Sequence, residues 1–325
     1  MEFCSYFIKE KALFGGYPTN NSKNELKEQG VMVFVDLTTE QERENLEKYF
    51  LDDELFYINY PIEDRKIPID PYDFTIFIAF LAKVIRKLPN KKKIYIHCKG
   101  GHGRAGIVVA CLLCFMYNMA PESALELTTR YHSERKTMRA KWRTLGSPQT
   151  RTQKGFVIRL CKPIHFYKAY KQSPTTGFSN FSEHSVKIDN FGEFNTSEAA
   201  FQAYKEPDNK EYVTKMENIK IPRIAKDLGR KCKLREDWFD VRNNIMKNIL
   251  KLKIEQHPDV KTNLLNTFLR PIIEHTKADV YSENLNNIFV KNRLGKMWMK
   301  VKNDIYFSYE NRFPMLSHII SQLSK

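Results

Sequence analysis

The strongest candidate for chemistry in this chain is a cysteine followed six positions later by an arginine, within a glycine-rich stretch. The stretch reads His97-Cys98-Lys99-Gly100-Gly101-His102-Gly103-Arg104-Ala105-Gly106. Glycines let the backbone curl so that successive N–H groups point inward and bind an anion beside a helix N-terminus. The same positive field favours a nucleophilic thiolate at Cys98, and the planar fork of Arg104 can grip two phosphoryl oxygens. The pattern therefore predicts phosphate transfer to sulfur.

Strands and helices that alternate along the chain are predicted to position this loop. Short apolar runs predict strands at residues 31–37, 55–60 and 93–97. Apolar residues on a helical period predict a helix over 71–88, and an unbroken apolar run predicts a buried helix over 106–117. This alternation favours an α/β fold for about the first 160 residues.

The loop resembles the signature of the protein tyrosine phosphatase superfamily, in its dual-specificity branch. The resemblance covers roughly residues 5–160. It implies that Cys98 is the nucleophile, that Arg104 binds the phosphoryl group and that His97 orients the loop and tunes the thiol. The further positions implied to bind phosphate are Lys99, Gly100, Gly101, His102, Gly103, Ala105 and Gly106. Lys99 and His102 add cations, as in phosphatases that also act on phosphoinositides.

A proton donor is also required, because transfer of phosphate to sulfur leaves an alkoxide or phenoxide. Asp64 follows a predicted strand and lies on a proline-flanked loop, where the family carries its general acid. Asp64 is therefore the first candidate, with Glu63 and Asp70 as alternatives.

Ala105 departs from the family pattern, which usually has serine or threonine directly after the arginine. In the family, that hydroxyl stabilises the cysteine sulfur as it leaves in the second step. We therefore expect slow breakdown of the phosphocysteine and burst kinetics.

The second half of the chain carries a series of motifs in a fixed order, at residues 177–182, 196–205, 225–230, 235–238, 264–267, 274–279 and 292–296. Together they resemble the NADAR (YbiA-like) N-glycosidase family over about residues 166–307. The resemblance implies cleavage of an N-glycosidic bond to a phosphorylated ribose, with Glu198 and Asp279 as catalytic carboxylates. The positions implied to bind ribose or base are Asn180, Phe181, Lys205, Arg230, Trp238, Asn292 and Gly295.

Composition and length are consistent with two domains. The chain has 325 residues, is 42% hydrophobic and carries a net charge of +15, which attracts anions such as phosphoesters or nucleic acid. A proline-containing polar stretch predicts a boundary that gives domains 1–165 and 166–325, the second α+β and rich in helix. Six scattered cysteines argue against a disulfide scaffold, and no stretch suits a membrane span or signal peptide. We expect a cytoplasmic protein in a reducing compartment, without metal or cofactor.

The sequence thus predicts a bifunctional enzyme: a cysteine-dependent phosphomonoester hydrolase fused to an N-glycosidase. Its expected ligands are a phosphorylated protein or other phosphoester and an ADP-ribosyl or nucleotide-like molecule, with nucleic acid left open as a partner. Three alternatives stay open. The chain could bind phosphoproteins and ADP-ribose with little catalysis, or its phosphatase could act on RNA 5′-phosphates or on phosphoinositides.

Overall fold

The fold, given by a computed structural model that describes residues 2–49, 52–166, 173–274 and 292–323, divides into two compact units. The first comprises Met1–Lys162, Phe268–Arg270 and Tyr306–Lys325, and the second comprises Pro163–Thr267 and Pro271–Ile305. The predicted arrangement of an α/β unit followed by a helix-rich α+β unit is confirmed.

A five-stranded sheet forms the centre of the first unit. Its strands are β1 (Cys4–Ile8), β2 (Ala12–Gly15), β3 (Val31–Asp36), β4 (Phe56–Asn59) and β5 (Lys93–His97), in the order β1-β2-β5-β3-β4. The β1 and β2 strands pair antiparallel, and the other three pairings are parallel. In the parallel register Asp36 lies opposite His97, so the carboxyl ends of β3 and β5 meet at one edge.

Seven helices of the first unit precede the second unit in the chain. They are α1 (Asn20–Glu28), α2 (Glu40–Glu44), α3 (Pro71–Lys87), α4 (Arg104–Tyr117), α5 (Pro121–Ser133), α6 (Ala140–Leu145) and α7 (Arg151–Cys161). The helices predicted over 71–88 and 106–117 correspond to α3 and α4, and the three predicted strands correspond to β3, β4 and β5. Every residue of α4 from Arg104 to Cys114 is buried, as its apolar run predicts.

The second unit contains more helix than strand. Its strands are β6 (Ile164–Phe166), β7 (Val186–Ile188), β8 (Gly192–Phe194) and β9 (Ile272–Glu274), in two-stranded pairings of β6 with β9 and of β7 with β8. Its helices are α8 (Ser197–Ala203), α9 (Lys210–Asn218), α10 (Pro222–Leu228), α11 (Trp238–Gln256), α12 (Pro258–Leu265) and α13 (Arg293–Ser308), the last of which runs past the end of this unit.

The stretch from Tyr306 onward packs with the first unit, although the sequence assigned it to the second domain. It includes a short 3-10 turn, Glu310–Arg312, and the final helix α14, Pro314–Gln322. Helix α14 buries Leu316, Ile319 and Ile320, and it packs against α3 and β4. An apolar helix face covered by the first unit explains why chain order alone misassigns this stretch. Among the described residues, no helix is both long and apolar enough to cross a bilayer.

A buried lysine supports one turn of the second unit. Lys253 of α11 is fully buried and donates hydrogen bonds to Ser179 O at 3.0 Å and to Ser182 Oγ at 2.7 Å. Burial lowers the pKa of Lys253 from 10.5 to about 7, against the attraction of Asp259. Between about pH 7 and pH 10.5, Lys253 is protonated in the unfolded chain and neutral in the folded chain. The free energy of unfolding therefore rises with pH over this range.

Replacing Lys253 by methionine tests this linkage. We expect the free energy of unfolding of the wild type to rise by up to about 1 kcal/mol per pH unit between about pH 7 and pH 9 from this group. Lys253→Met removes that slope, since methionine does not titrate. Urea unfolding at several pH values measures both slopes. Lys251→Met on the same helix is the control and keeps the wild-type slope; an unchanged slope in Lys253→Met contradicts the assignment.

Candidate active sites

The glycine-rich loop, residues 98–103, connects β5 to α4. Cys98 directly follows β5, and Arg104 is the first residue of α4. Their exposed fractions are 2% and 1%. Gly101 has a φ of +70°, and a Cβ on it would lie 2.2 Å from the backbone carbon of Gly15. A residue with a side chain therefore does not fit there, and the tight curl of the loop depends on this glycine.

Two side chains hold the loop from behind through its carbonyl groups. Arg135 Nη1 donates to Gly101 O at 2.9 Å, and Ser147 Oγ donates to His102 O at 2.6 Å. Because a peptide group is planar and trans, its C=O and N–H point in opposite directions. A carbonyl that points toward Arg135 or Ser147 therefore directs the N–H of the following residue to the other side of the loop. These contacts favour the inward-facing N–H groups that an anion site needs.

Arg135 places a buried positive charge against the loop. It is 3% exposed, its Nη2 donates to Phe14 O at 3.2 Å, and its guanidinium lies 4.4 Å from the ring centroid of Phe14. Burial lowers the pKa of Arg135 to about 10, so it stays charged near neutral pH. Its hydrogen bonds go to carbonyl and hydroxyl oxygens, and no ion pair joins it to a carboxylate within the described ranges. Its charge therefore stays available to attract a bound anion and a thiolate.

His102 does not add the positive charge that the sequence analysis assigned to it. Its ring stacks on Trp142 with 4.5 Å between centroids, and its Nδ1 lies 2.7 Å from His132 Nε2. Burial, with the nearby charge of Arg135, lowers its pKa to about 4. His102 is thus neutral at physiological pH and braces the loop. Lys99 is exposed and remains the cation of the loop itself.

The Arg104 guanidinium is bound by two carboxylates. Its Nη1 and Nη2 donate to Glu42 Oε2 at 2.5 Å and Oε1 at 2.8 Å, a bidentate pair. Nη1 also donates to Ile62 O at 2.8 Å, and Nη2 donates to Asp64 Oδ1 at 3.0 Å. Burial disfavours the charged form of Glu42, but hydrogen bonds from Arg104 and Thr39 outweigh it and lower its pKa. Glu42 therefore holds Arg104 as an ionised partner.

Asp64 is the one of the three candidate acids that contacts Arg104. Its side chain is 59% exposed on the loop between β4 and α3. Asp70 instead caps α3, since its Oδ1 accepts hydrogen bonds from Tyr72 N at 2.8 Å and Asp73 N at 3.1 Å. Glu63 is exposed. The geometry thus brings Asp64 to the arginine of the loop from an accessible position.

His97 lies fully buried beneath the loop. Its Nε2 is 2.7 Å from the Tyr49 hydroxyl, and its Nδ1 is 3.7 Å from Asp36 Oδ1. Burial lowers the pKa of His97 to about 4, although Asp36 opposes the shift. The neutral imidazole is therefore fixed by Tyr49 on one side, while its Nδ1 has no hydrogen-bond partner among the described residues, and it lies at the strand end from which Cys98 extends.

Sequence reasoning missed Glu42, Arg135 and Ser147. A signal for the helix that carries Glu42 was present, since Thr39 and Glu42 have the spacing of a capping box and form one. Its pairing with Arg104 spans 62 residues, and the Arg135 contact with Gly101 spans 34. No local pattern encodes such contacts.

The second unit encloses a cavity of about 400 Å³ around Glu198. It combines carboxylates, cations, amides and aromatic rings. The predicted residues Asn180, Phe181, Glu198, Lys205 and Trp238 all line it. The residues that the sequence analysis did not single out are chiefly Gln202, Lys226, Arg242, Asn243, Glu274 and Arg293. The structure thus brings together most of one predicted site and adds three cations and a second carboxylate.

Glu198 is 6% exposed in the first turn of α8. Its Oε1 accepts a hydrogen bond from Gln202 Nε2 at 2.8 Å. Burial raises the pKa of Glu198, and the bond from Gln202 and the charges of Lys226 and Lys205 only partly offset this. Glu198 therefore keeps its proton to a higher pH than an exposed glutamate does.

Aromatic rings and cations line the cavity beside Glu198. Trp238 is 4% exposed, and its ring centroid lies 5.0 Å from that of Phe201. Lys205 Nζ lies 5.6 Å from the Trp238 ring centroid. Lys226 Nζ lies 5.5 Å from the ring of Phe181. Within the described chain, Asn180 Oδ1 and Gln202 Oε1 are buried acceptors without a hydrogen-bond partner. Such a wall suits a ligand with an aromatic base, hydroxyl donors and negative charge.

Three predicted residues lie elsewhere in the second unit. Asn292 bonds backbone groups, donating to Ile272 O at 2.7 Å and accepting from Glu274 N at 3.0 Å. Gly295 permits a close approach, because a Cβ there would lie 2.1 Å from Ile272 O. Arg230 pairs with Asp227 at 3.2 Å, with its side chain 67% exposed. Asp279 lies outside the described residues.

Comparison with known proteins gives a match in each half of the chain. The model for the DSP-PTPase phosphatase domain of Swiss Army Knife proteins matches residues 2–157, and the NADAR domain model matches residues 165–306. Protein 067L of Invertebrate iridescent virus 3, described as a tyrosine phosphatase, is 35% identical over 185 residues, 57% of this chain and 75% of the relative. N-glycosidase YbiA of Shigella flexneri serotype 5b is 35% identical over 130 residues, 39% of this chain and 80% of the relative. The chain belongs to both families.

The chain is thus a fusion of a phosphatase domain with a NADAR N-glycosidase domain, as the sequence predicts. Among solved structures, the NMR structure of the E. coli protein YbiA is 30% identical, with a TM-score of 0.39. That match covers 46% of this chain and 87% of that protein.

Glu42→Gln tests the arginine pair of the phosphatase domain. An uncharged amide cannot hold the Arg104 fork at both nitrogens, so the guanidinium loses its fixed orientation. We expect kcat/KM for an aryl phosphate to fall about 10- to 100-fold. Steady-state kinetics measure the loss. Glu44→Gln, at an exposed position of the same helix, is the matched control with unchanged kinetics, and equal kinetics for both variants contradict the role of Glu42.

Proposed function

We propose that the phosphatase domain hydrolyses phosphomonoesters through a phosphocysteine at Cys98. The Cys98 thiolate attacks phosphorus, the bond from phosphorus to the ester oxygen breaks, and Asp64 donates its proton to the departing oxygen. In the second step, water attacks phosphorus, the bond to sulfur breaks and Asp64 takes up the proton of the water. Arg104 holds the equatorial oxygens in both steps, as backbone N–H groups of the glycine-rich loop do.

The contact between Asp64 and Arg104, at 3.0 Å, is the observation that carries this assignment. An acid within hydrogen-bond distance of the phosphate-binding arginine is within reach of the ester oxygen of a bound substrate. Its 59% exposure supports a loop that exchanges between Arg104 and the substrate. Phosphotyrosine, phosphoinositide and RNA 5′-phosphate substrates all fit this chemistry, and the loop cation Lys99 suits substrates with further negative charge.

Ala105→Ser tests the second step. Ala105 is fully buried at the start of α4, and its methyl side chain has no hydroxyl to donate to the leaving sulfur. We expect the wild type to show a burst of the aryl alcohol followed by slow turnover, and Ala105→Ser to raise the steady-state rate about 10-fold while shrinking the burst. Stopped-flow kinetics with an aryl phosphate measure both phases. A wild-type trace that is linear from the first turnover refutes slow phosphocysteine breakdown.

For the NADAR domain we propose cleavage of an N-glycosidic bond in ADP-ribosyl or ribosyl-phosphate substrates at the cavity around Glu198. The bond breaks with its electron pair on the departing base, and the Glu198 carboxylate stabilises the positive charge that develops on the ribose. Water then adds to the anomeric carbon, and the base takes up the proton that the water releases. Trp238 and Phe181 offer rings to the base. Lys205, Lys226 and Arg293 supply charge for phosphate oxygens.

Single substitutions separate the two activities. Cys98→Ser is expected to abolish release of phosphate and leave the glycosidase activity intact, and Glu198→Gln is expected to do the reverse, by about 100-fold or more. Phosphopeptides and triphosphorylated RNA probe the phosphatase, and ADP-ribosylated DNA, RNA and protein probe the glycosidase. Cys232→Ser and Glu193→Gln are controls at accessible positions and keep both activities. Unchanged activity in Cys98→Ser or Glu198→Gln refutes the corresponding assignment.

A further inference from the structure

The final stretch of the chain, residues 306–323, packs on the phosphatase unit although it follows the NADAR domain in sequence. We call it the C-terminal segment. Apart from its first residue, it lies outside the regions matched by both family models, residues 2–157 and 165–306. Its presence therefore follows from neither family.

Aromatic residues of the C-terminal segment pack along α3. Phe307 lies 5.6 Å from the Phe80 ring, and Lys83 Nζ lies 4.5 Å from the Phe307 ring centroid. Phe313 contacts Phe77 at 5.8 Å and Phe80 at 6.0 Å between ring centroids. Helix α14 adds buried apolar side chains against the same helix and against β4. The segment is thus a packed part of the phosphatase unit.

Both ends of the loop that carries Asp64, residues 60–70, meet this segment. At the first end, Tyr60 stacks on Phe77 with 4.2 Å between centroids and lies 6.2 Å from Phe313. At the second end, Asp73 in the first turn of α3 pairs with Arg312 at 3.3 Å. Burial, together with the neighbouring Asp73, raises the pKa of the Tyr60 hydroxyl. The C-terminal segment thus contacts one end of the loop through Phe313 and the residues just after the other end through Arg312.

We propose that the C-terminal segment positions the Asp64 loop, with Phe313 and Arg312 as positioning residues for proton donation. This rests on the proposed role of Asp64. Phe313 carries more of the effect than Arg312, because the Arg312–Asp73 pair is partly exposed and such pairs contribute little. A general acid is sensitive to small displacements, so loosening either loop end lowers the fraction of molecules with Asp64 in place. The phosphatase domain of this chain is accordingly completed by residues that follow the NADAR domain.

The test uses the dependence of rate on the leaving group, in the full chain. Phenyl phosphate needs a proton donor, whereas 2,4-dinitrophenyl phosphate expels its phenoxide without one. We expect Asp64→Asn to lower kcat/KM for phenyl phosphate about 100-fold and to leave dinitrophenyl phosphate nearly unchanged. Phe313→Ala should lower the phenyl phosphate rate about 10-fold, and Arg312→Gln less, with the same selectivity. The double variant Asp64→Asn with Phe313→Ala should lose nothing further.

Controls make each outcome decisive. Met315→Ala, exposed on the same segment, should behave as wild type, and thermal unfolding checks every variant. Phe313→Leu and Arg312→Gln carry the test if Phe313→Ala does not fold. Equal losses on both substrates, or a loss that adds to that of Asp64→Asn, overturn the positioning role while the Asp64 assignment stands. If Asp64→Asn lowers kcat/KM equally for phenyl phosphate and dinitrophenyl phosphate, Asp64 is not the general acid, and the positioning role is refuted with it.

Discussion

The phosphatase half of the structure depends on the burial of one cation, Arg104. A guanidinium with 1% of its surface exposed is tolerated only when its donors are bonded and its charge is compensated. Those partners come from three separate segments: Leu37 O at the end of β3, Glu42 on α2, and Ile62 O and Asp64 after β4. Arg104 therefore ties together the strand ends that surround the glycine-rich loop, so the side chain proposed to bind phosphate also determines the local fold.

The two sites solve the problem of buried charge in different ways. The phosphatase site pairs Arg104 with Glu42 but leaves Arg135 bonded only to neutral oxygens within the described residues, which keeps positive potential behind the loop. The NADAR cavity instead buries the acid Glu198 and sets the cations Lys205 and Lys226 around it. The first arrangement suits an anion that must be held and attacked. The second suits a carboxylate that must face a developing positive charge near bound phosphate.

The sequence predicts what local patterns encode, and the structure adds contacts between distant segments. Strands β3 and β5, helix α4 and the loop before it follow from apolar runs and glycines, so the placement of Cys98 and Arg104 between β5 and α4 could be predicted directly. Glu42 and Arg135 could not, because their roles arise from pairings over 62 and 34 residues. The prediction that His102 is a cation was wrong because its pKa is lowered by burial against Trp142, a tertiary contact that the local sequence does not reveal. The assignment of residues 306–323 failed for the same reason, since an amphipathic helix does not reveal which unit it covers.

The contact of Asp64 with Arg104 also relates substrate binding to acid catalysis. Asp64 lies 3.0 Å from the Arg104 guanidinium. On the proposed mechanism, a bound phosphate group competes with Asp64 for this guanidinium, whereas Glu42 keeps its two hydrogen bonds to Arg104. Substrate binding would therefore release Asp64 from Arg104, so that its carboxyl group can face the departing oxygen.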